Sequence, residues 1–467
     1  MILTVLIAAA TFCNPLPLEN YPIGVSCRMP NGSKAGGLWV TDTTTQYREL
    51  ADPSLLFENG VWYVYPSAGM CWKSADNGRT WQHVPIDAKV SYAPTVVKHR
   101  GRFWLLSSSP QVYVADRPEG PWTEFGRVEL PQGKADGEEI AGLWDPMYFS
   151  DDDGRLYLYW GCTAKGGIWG CEMDPANPCK PVSDAKLLIR YDPANNPWER
   201  LDGNDPEICW IEGAWMVKVN GKYVLTYAAA GTCSSVYAMG AAIGTGPLGA
   251  FRRQKNNPFF QKTTGLVTGT GHGSVAKGPD GDYYVAYSLF VGRNHGFERM
   301  IGMDKVKFDE RTGEVTVAQA TERPLRADWT PTGWVELAYR CTPGAEAAID
   351  GHLATCWTPA KLPATLEVAF PGRKAVRAVR TIWRDVGLDT FRGVKPGPIQ
   401  YRIDYRDGDE WKTLVDASDN VRDLMIDYRE TPVVWTRELR LVVLGAPKGI
   451  KPAVTEFTPF GQAEKTF

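Results

Sequence analysis

One hairpin pattern, written five times, limits what this chain can fold into. The copies are ADPSLLFENGVWYVYPS (51–67), YAPTVVKHRGRFWLLSS (92–108), WDPMYFSDDDGRLYLYWG (144–161), EGAWMVKVNGKYVLTYAAAG (212–231) and GHGSVAKGPDGDYYVAYS (271–288). Each opens on a small or polar residue, runs through an apolar strand, turns at a glycine and returns as an aromatic-rich strand. The turn glycines, Gly60, Gly101, Gly154, Gly221 and Gly281, lie eight or nine positions after the leading residue. Hairpin geometry kept inside each copy, with uneven spacing between copies, predicts an all-β, five-bladed propeller whose blades carry insertions of different length.

The leading residues are Asp52, Ala93, Asp145, Glu212 and His272. Equivalent strands of a radial fold start at the same mouth of the central channel, so three carboxylates far apart in sequence are expected to converge. An acid at the head of an apolar strand such as VWYVY or LYLYW is unfavourable unless function requires it. Hydrolysis of a glycosidic bond needs one carboxyl group that is protonated and one that is ionised, standing about 6.5–9.5 Å apart when configuration inverts. A third carboxylate beside the acid raises its pKa by like-charge repulsion. The competing use of paired acids, an aspartic-protease dyad, lacks its Asp-Thr/Ser-Gly loops here.

Composition agrees with this class of fold. The chain of 467 residues has 18 Trp, 20 Tyr, 47 Gly and 34 Pro, suited to hairpins and to flat apolar faces for a sugar, and its length predicts two domains. Net charge is −3 with no basic tract, so nucleic acid is not an expected partner. Ile2–Phe12 is an apolar run ending in small residues, similar to the core of a secretory signal but without a preceding Lys or Arg. The alternatives are an ordinary first strand or a lipid attached to Cys13, against which bulky Phe12 argues. Export, secreted or periplasmic, is the expectation, and no other stretch is apolar for long enough to span a bilayer. The ten cysteines show no metal-binding spacing, and several, Cys209 and Cys233 among them, sit in apolar runs where a buried thiol is as reasonable as a disulfide.

Between and beyond the copies lie scaffold signals. KSADNGRTW (73–81) fits the Asp-box hairpin turn, in which the Asp caps its own backbone and the Trp packs beneath. Such a box is frequent in sialidases, but the three arginines and Tyr nucleophile of a sialidase cannot be placed. Asp151-Asp152-Asp153-Gly154 reads as a hairpin turn rather than a calcium loop. The Asp-, Asn- and Pro-rich stretch 174–206 is expected as a rim insertion that shapes a pocket. ERPLRADWTPTGWVE (322–336) reads as a connector. After it, LEVAFPG (366–372), IQYRIDYRDGDEWKTL (399–414), RELRLVVLG (437–445) and TEFTPFG (455–461) alternate as short strands of a β-sandwich. Trp72 and Trp210 are the candidates for stacking on a sugar.

Taken together, these motifs resemble glycoside hydrolase family 43, five-bladed propeller enzymes that cleave arabinofuranosyl, xylosyl or galactosyl linkages with inversion. The resemblance covers about residues 14–335. It implies Asp52 in ADPS as general base, Asp145 in WDPMYFSDDDG as pKa modulator and Glu212 in IEGAW as general acid. GTGHGS (269–274) implies His272 as the axial residue that holds a calcium ion, through water rather than directly, or a water alone, the alternative being a structural histidine, and FERMIGMDKVKFD implies Arg299 as a contact to the substrate or the acid. Ala214 stands where the family usually has proline after Glu-Gly, and Tyr92 replaces the Trp of Trp-Ala-Pro; neither removes a reacting group. The C-terminal segment is similar to the discoidin sandwich shared by family 32 carbohydrate-binding modules, on the cue AAIDGHLATCWTP (347–359), which implies a structural calcium near Asp350.

The expected organisation is therefore a signal-like segment at 1–12, a catalytic propeller at 13–335 and an accessory, discoidin-like jelly-roll sandwich at 336–467. The expected activity is an inverting exo-glycosidase that removes terminal furanosyl residues from an oligo- or polysaccharide, with no required cofactor. α-L-Arabinofuranosidase is the preferred specificity; the alternatives are β-D-galactofuranosidase, β-xylosidase, or a propeller that binds glycan without cleaving it.

Overall fold

In the computed structural model, residues 11–24, 27, 44–67, 69–162, 166–201, 210–338 and 340–462 are described. Each sequence repeat forms the two inner strands of one antiparallel blade. Blade one comprises Ala51–Glu58, Val61–Ser67, Met70–Ser74 and Gln82–Pro85. Blade two comprises Thr95–His99, Arg102–Ser107, Ser109–Ala115 and Thr123–Arg127. Blade three runs through Met147–Ser150, Leu156–Trp160 and Ile168–Asp174, with Asn177–Pro181 and Lys186–Ile189 both on its outer edge. The first described part of the 174–206 stretch is thus sheet edge rather than rim loop. Further on, Glu199 is buried against Arg253 and Tyr227, which makes that part scaffold as well. Blade four comprises Ile211–Val219, Lys222–Ala229, Ala238–Gly244 and Arg252–Arg253, and blade five has Gly271–Lys277, Tyr283–Phe290 and Arg299–Val306.

The outer place beside blade five is taken by the start of the chain. Leu16 N donates to Ile301 O (2.9 Å), and the Asn14 side chain both accepts from Met303 N and donates to Met303 O (3.0 Å each). Thr11–Phe12 pairs antiparallel with Leu325–Arg326, and the Phe12 ring packs edge-on against Trp329 at 4.3 Å. Burial of a phenylalanine of this kind stabilises by about 1.5–3 kcal/mol. Of the apolar run expected as a leader, Thr11 and Phe12 therefore belong to the fold, and the rest lies outside the described residues. The 322–336 connector is likewise packed structure, with Trp329 buried against Tyr284.

The local signals behave as their chemistry dictates. Asp76 accepts from Thr80 N (2.8 Å), Thr80 Oγ1 and Ser74 Oγ, while Trp81 is buried and donates to Gly78 O. Asp151 is buried in its turn, where Lys218 and the Tyr223 hydroxyl bind it. Cys13, Cys27, Cys71, Cys162, Cys171, Cys179, Cys341 and Cys356 are free thiols; Cys209 lies outside the described residues.

The C-terminal strands form one hydrogen-bonded sheet folded over itself into a sandwich. Ala364–Val386 and Ile426–Gly445 run through both layers, and their register shifts between Ala369 and Lys374 and between Val376 and Ala378 mark the bend. The first half of Ala364–Val386 pairs with the second half of Ile426–Gly445 in the layer that holds the hairpin Gln400–Asp407 and Glu410–Ala417, and its second half pairs with the first half of Ile426–Gly445 in the layer that holds Lys451–Gln462. Val368, Val379, Trp383, Tyr401, Leu441 and Phe457 are among the residues buried between them.

The sandwich is joined to the propeller by buried contacts. Leu353, Ile382, Met425 and Ile426 belong to the same apolar cluster as Leu16, Trp72 and Ile301. Arg380 reaches across to Asn14 O (2.6 Å) and Glu322 O (3.0 Å), and Arg48 pairs with Asp385 (2.9 Å) and Asp423 (2.6 Å).

Candidate active site

A repeated backbone device aims the site residues. Asp52, Ala93, Asp145, Gly213 and His272 all adopt left-handed backbone, with φ of 50°, 48°, 49°, 59° and 41°. In blades one, four and five the strand register shows a bulge at this point: Ala51 pairs with Ser67, Glu212 with Ala228 and Gly271 with Ser288 before the regular ladder resumes at Ser54, Trp215 and Ser274. A non-glycine residue in this region costs about 1–2 kcal/mol, and such outliers gather at functional sites.

The pairing corrects the repeat alignment at one place. The partner of Asp52 in blade four is Gly213, and Glu212 stands one position earlier, level with Ala51, Tyr92, Trp144 and Gly271. Two adjacent positions of the repeat therefore build the site. The earlier position supplies Tyr92, Trp144 and Glu212; the later one supplies Asp52, Asp145 and His272. All six line one cavity of about 200 Å³, together with Cys162, Thr232, Phe297 and Arg299. The three carboxylates expected to converge do so.

Their environments differ. Asp52 Oδ2 accepts from Ser67 Oγ (2.8 Å), and its Oδ1 lies 2.8 Å from Arg299 Nη1 and 3.3 Å from His272 Nδ1. Burial opposes ionisation of Asp52, but Arg299 foremost, then His272 and Ser67, hold its pKa below the ordinary aspartate value. Asp145 Oδ2 lies 3.7 Å from His272 Nδ1. Burial first, then the charges of Glu212 and Asp52, push Asp145 up to about 7 in spite of His272. Glu212 accepts from the Tyr237 hydroxyl through Oε1 and from the Cys162 thiol through Oε2 (3.0 Å). Burial, reinforced by Asp145 and Glu212, keeps that thiol protonated and able to donate. The site thus holds one carboxylate kept ionised, Asp52, and another, Asp145, that burial and the neighbouring acid charges push towards retaining its proton near neutrality.

Two glycines make room for this arrangement. A Cβ on Gly213 would lie 2.9 Å from His272 Cγ, and one on Gly271 would lie 2.3 Å from the Tyr237 ring that holds Glu212.

Arg299 is buried, and its guanidinium joins Asp52 to Glu49, whose Oε1 is 2.8 Å from Nη2. It reaches the expected base rather than the acid. Trp72 does not reach the site: it is fully buried, donates to Glu19 O (2.7 Å) and packs against His83. Trp72 lies on the third strand of its blade, Met70–Ser74, rather than on a strand that leads to the channel mouth, and sequence does not separate the two. Trp210 is half-buried beside Gly231 and is not among the residues that line the cavity. The aromatic that the cavity offers is Trp144, whose side is open at 51% exposure, with Tyr92 and Phe297 as further apolar walls. Asp350 is exposed and caps its own loop, accepting from His352 N (3.0 Å) and Thr355 Oγ1 (2.9 Å). Among the described residues, the group of three His, Cys, Asp or Glu ligand atoms within 4.8 Å of one another is Asp145, Cys162 and Glu212; neither His272 nor Asp350 belongs to such a group.

The sequence profile of Glycosyl hydrolases family 43 matches residues 62–312. The chain belongs to this family. Relatives within it carry several names. A Beta-xylosidase of Xylanibacter ruminicola is 25% identical over 273 residues, covering 44% of this chain and 78% of that protein. A Beta-D-galactofuranosidase of Aspergillus niger is 28% identical over 210 residues, covering 44% of this chain and 53% of that one. The crystal structure of a thermostable family-43 glycoside hydrolase covers 58% of this chain and 94% of its own, at 23% identity and a TM-score of 0.49.

Proposed function

We propose that this family-43 glycoside hydrolase acts from chain ends, with inversion, and releases a terminal furanosyl unit, α-L-arabinofuranosyl first among the candidates. The observation that carries the reading is the cavity itself. Its size, about 200 Å³, is below the ~300–1,000 Å³ of pockets that enclose drug-sized ligands, and suits one sugar ring with three carboxylates on its wall. In this reading Asp52, kept ionised by Arg299, activates water; Glu212 protonates the leaving oxygen; and Asp145 keeps a proton within the pair. Trp144 offers the face on which the sugar or the group next to it stacks.

The substrate is a non-reducing terminal glycoside of an oligo- or polysaccharide, and the protein acts outside the cytoplasm. A β-xylosidase or β-D-galactofuranosidase specificity uses the same residues, in keeping with the names of the two relatives. A structural cation near His272 or Asp350 and glycan binding by the sandwich belong to the same proposal, the chemistry requiring neither. The test is a panel of nitrophenyl α-L-arabinofuranoside, β-D-galactofuranoside and β-D-xyloside. Turnover of the arabinofuranoside above the others supports the reading, preference for another member reassigns the sugar, and no turnover of any member leaves the glycan-binding alternative in possession.

A further inference from the structure

The loop that carries Arg299 is tied by a residue from the other domain. Glu298 is the knot of this loop. Its carbonyl accepts from Val291 N (3.0 Å) and Gly292 N (3.3 Å), its Oε2 accepts from Asn294 N (2.7 Å), and its N donates to His295 O (3.0 Å). The remaining oxygen, Oε1, takes Arg384 Nη1 at 2.9 Å, and Arg384 Nη2 is fixed on Leu353 O at 3.0 Å. Both side chains are nearly buried, at 11% and 5% exposure. Arg384 lies on Ala364–Val386, the long strand of the sandwich. The same loop presents Phe297 to the catalytic cavity, and the Phe297 carbonyl accepts from Arg299 Nε (3.3 Å).

We infer that Arg384 is a positioning residue for hydrolysis: by holding Glu298 it reserves Arg299 for Asp52, so the sandwich forms part of the catalytic unit. The inference rests on Asp52 being the base. The argument is one of charge. Glu49, Asp52 and Glu298 are three buried carboxylates, and Arg299 and Arg384 are the guanidiniums that meet them. With Arg384 on Glu298, Arg299 serves Asp52 and Glu49. Without Arg384, three carboxylates share one guanidinium, and an uncompensated buried acid one residue away competes for it. Also facing this network are His272 and Asp145 around Asp52, His295 and Tyr92 around Arg299, and Cys27, Tyr47, Arg48, Arg293 and Asp385 around Glu298 and Arg384.

The test uses the full chain and follows kcat/KM against pH on an aryl glycoside. Arg384→Met is expected to lower kcat/KM by about tenfold to a hundredfold, the scale of a misplaced reacting group. The acid limb moves to higher pH, because Asp52 is less well held as the anion, and Arg384→Lys restores it in large part. Arg422→Met, which breaks the exposed interdomain pair with Glu19 (3.2 Å), leaves the limb in place. Glu298→Gln added to Arg384→Met returns the limb towards wild type by restoring the charge balance. If Arg384→Met does not fold, Glu298→Gln alone carries the test with opposite sign, its acid limb moving to lower pH. An acid limb that stays put in the folded Arg384→Met protein, or an unmoved or upward limb in Glu298→Gln, overturns the inference. Asp52→Asn distinguishes the two levels: retained turnover there overturns the base assignment itself, whereas an inert Asp52→Asn with an unmoved limb overturns the Arg384 inference alone.

Discussion

Gly213→Ala is the perturbation for which the structure gives the firmest number. Gly213 sits at φ 59°, and the added Cβ would stand 2.9 Å from His272 Cγ and 3.0 Å from Cδ2. Left-handed backbone costs an alanine about 1–2 kcal/mol. Overpacking against the half-buried His272 ring costs about 1–3 kcal/mol more, for a total of roughly 2–5 kcal/mol. The neighbour that must yield is His272, whose Nδ1 is 3.3 Å from Asp52 and 3.7 Å from Asp145. Activity should therefore fall with stability, by about a hundredfold if the ring moves 1 Å. Urea denaturation gives the first quantity and kcat/KM on an aryl glycoside the second. Ala93→Gly is the matched control, at φ 48° in blade two. It relieves about 1–2 kcal/mol of backbone strain against about 0.5–1 kcal/mol of added chain entropy, and should leave stability equal or slightly higher. A Gly213→Ala protein with wild-type stability and turnover would refute the claim that this backbone device builds the site.

Four further outcomes rest on the roles proposed for the acids. Asp52→Asn should lower turnover of an aryl glycoside by about 10²–10⁴-fold while leaving binding of the sugar product in place, as isothermal titration would show. Glu212→Gln should spare substrates with good leaving groups such as dinitrophenolate and penalise alkyl glycosides heavily, which a leaving-group series measures. In the wild type, kcat/KM should persist on the acid side to below the ordinary aspartate range, because Asp52 must be ionised and its pKa is held down; on the alkaline side it should be lost as pH rises through about 7, where Asp145 gives up its proton. Asp145→Asn should move that alkaline limb to lower pH, which a pH–rate profile records.

The propeller was legible because strand alternation and turn glycines repeat locally, and five copies of one hairpin leave few other folds open. Asp52, Asp145 and His272 were legible as heads of those strands. Glu212 is one position out of register with the other heads: Gly213 holds the left-handed place, and the spacing to the turn glycine does not reveal it, since nine residues also separate Asp145 from Gly154 and His272 from Gly281. Trp144 and Tyr92 stood in the quoted repeats and could have been read from that same earlier position. Trp72 was misread because a buried ring and a ring in the channel obey the same alternation. Cys162, Tyr237, Glu49 and the Arg384–Glu298 tie were not legible, since each depends on a long-range contact that no local period encodes. The apolar Phe12 read as leader, although its hydrophobicity is spent on Trp329.

The most direct measurement is the anomeric configuration of the sugar first released, followed by proton NMR during hydrolysis of whichever nitrophenyl glycoside proves to be turned over. Water activated by Asp52 on the face opposite Glu212 must give the inverted anomer before mutarotation. Release of the retained anomer would mean that one of these carboxylates attacks the sugar itself, and would contradict the assignment of acid and base made here.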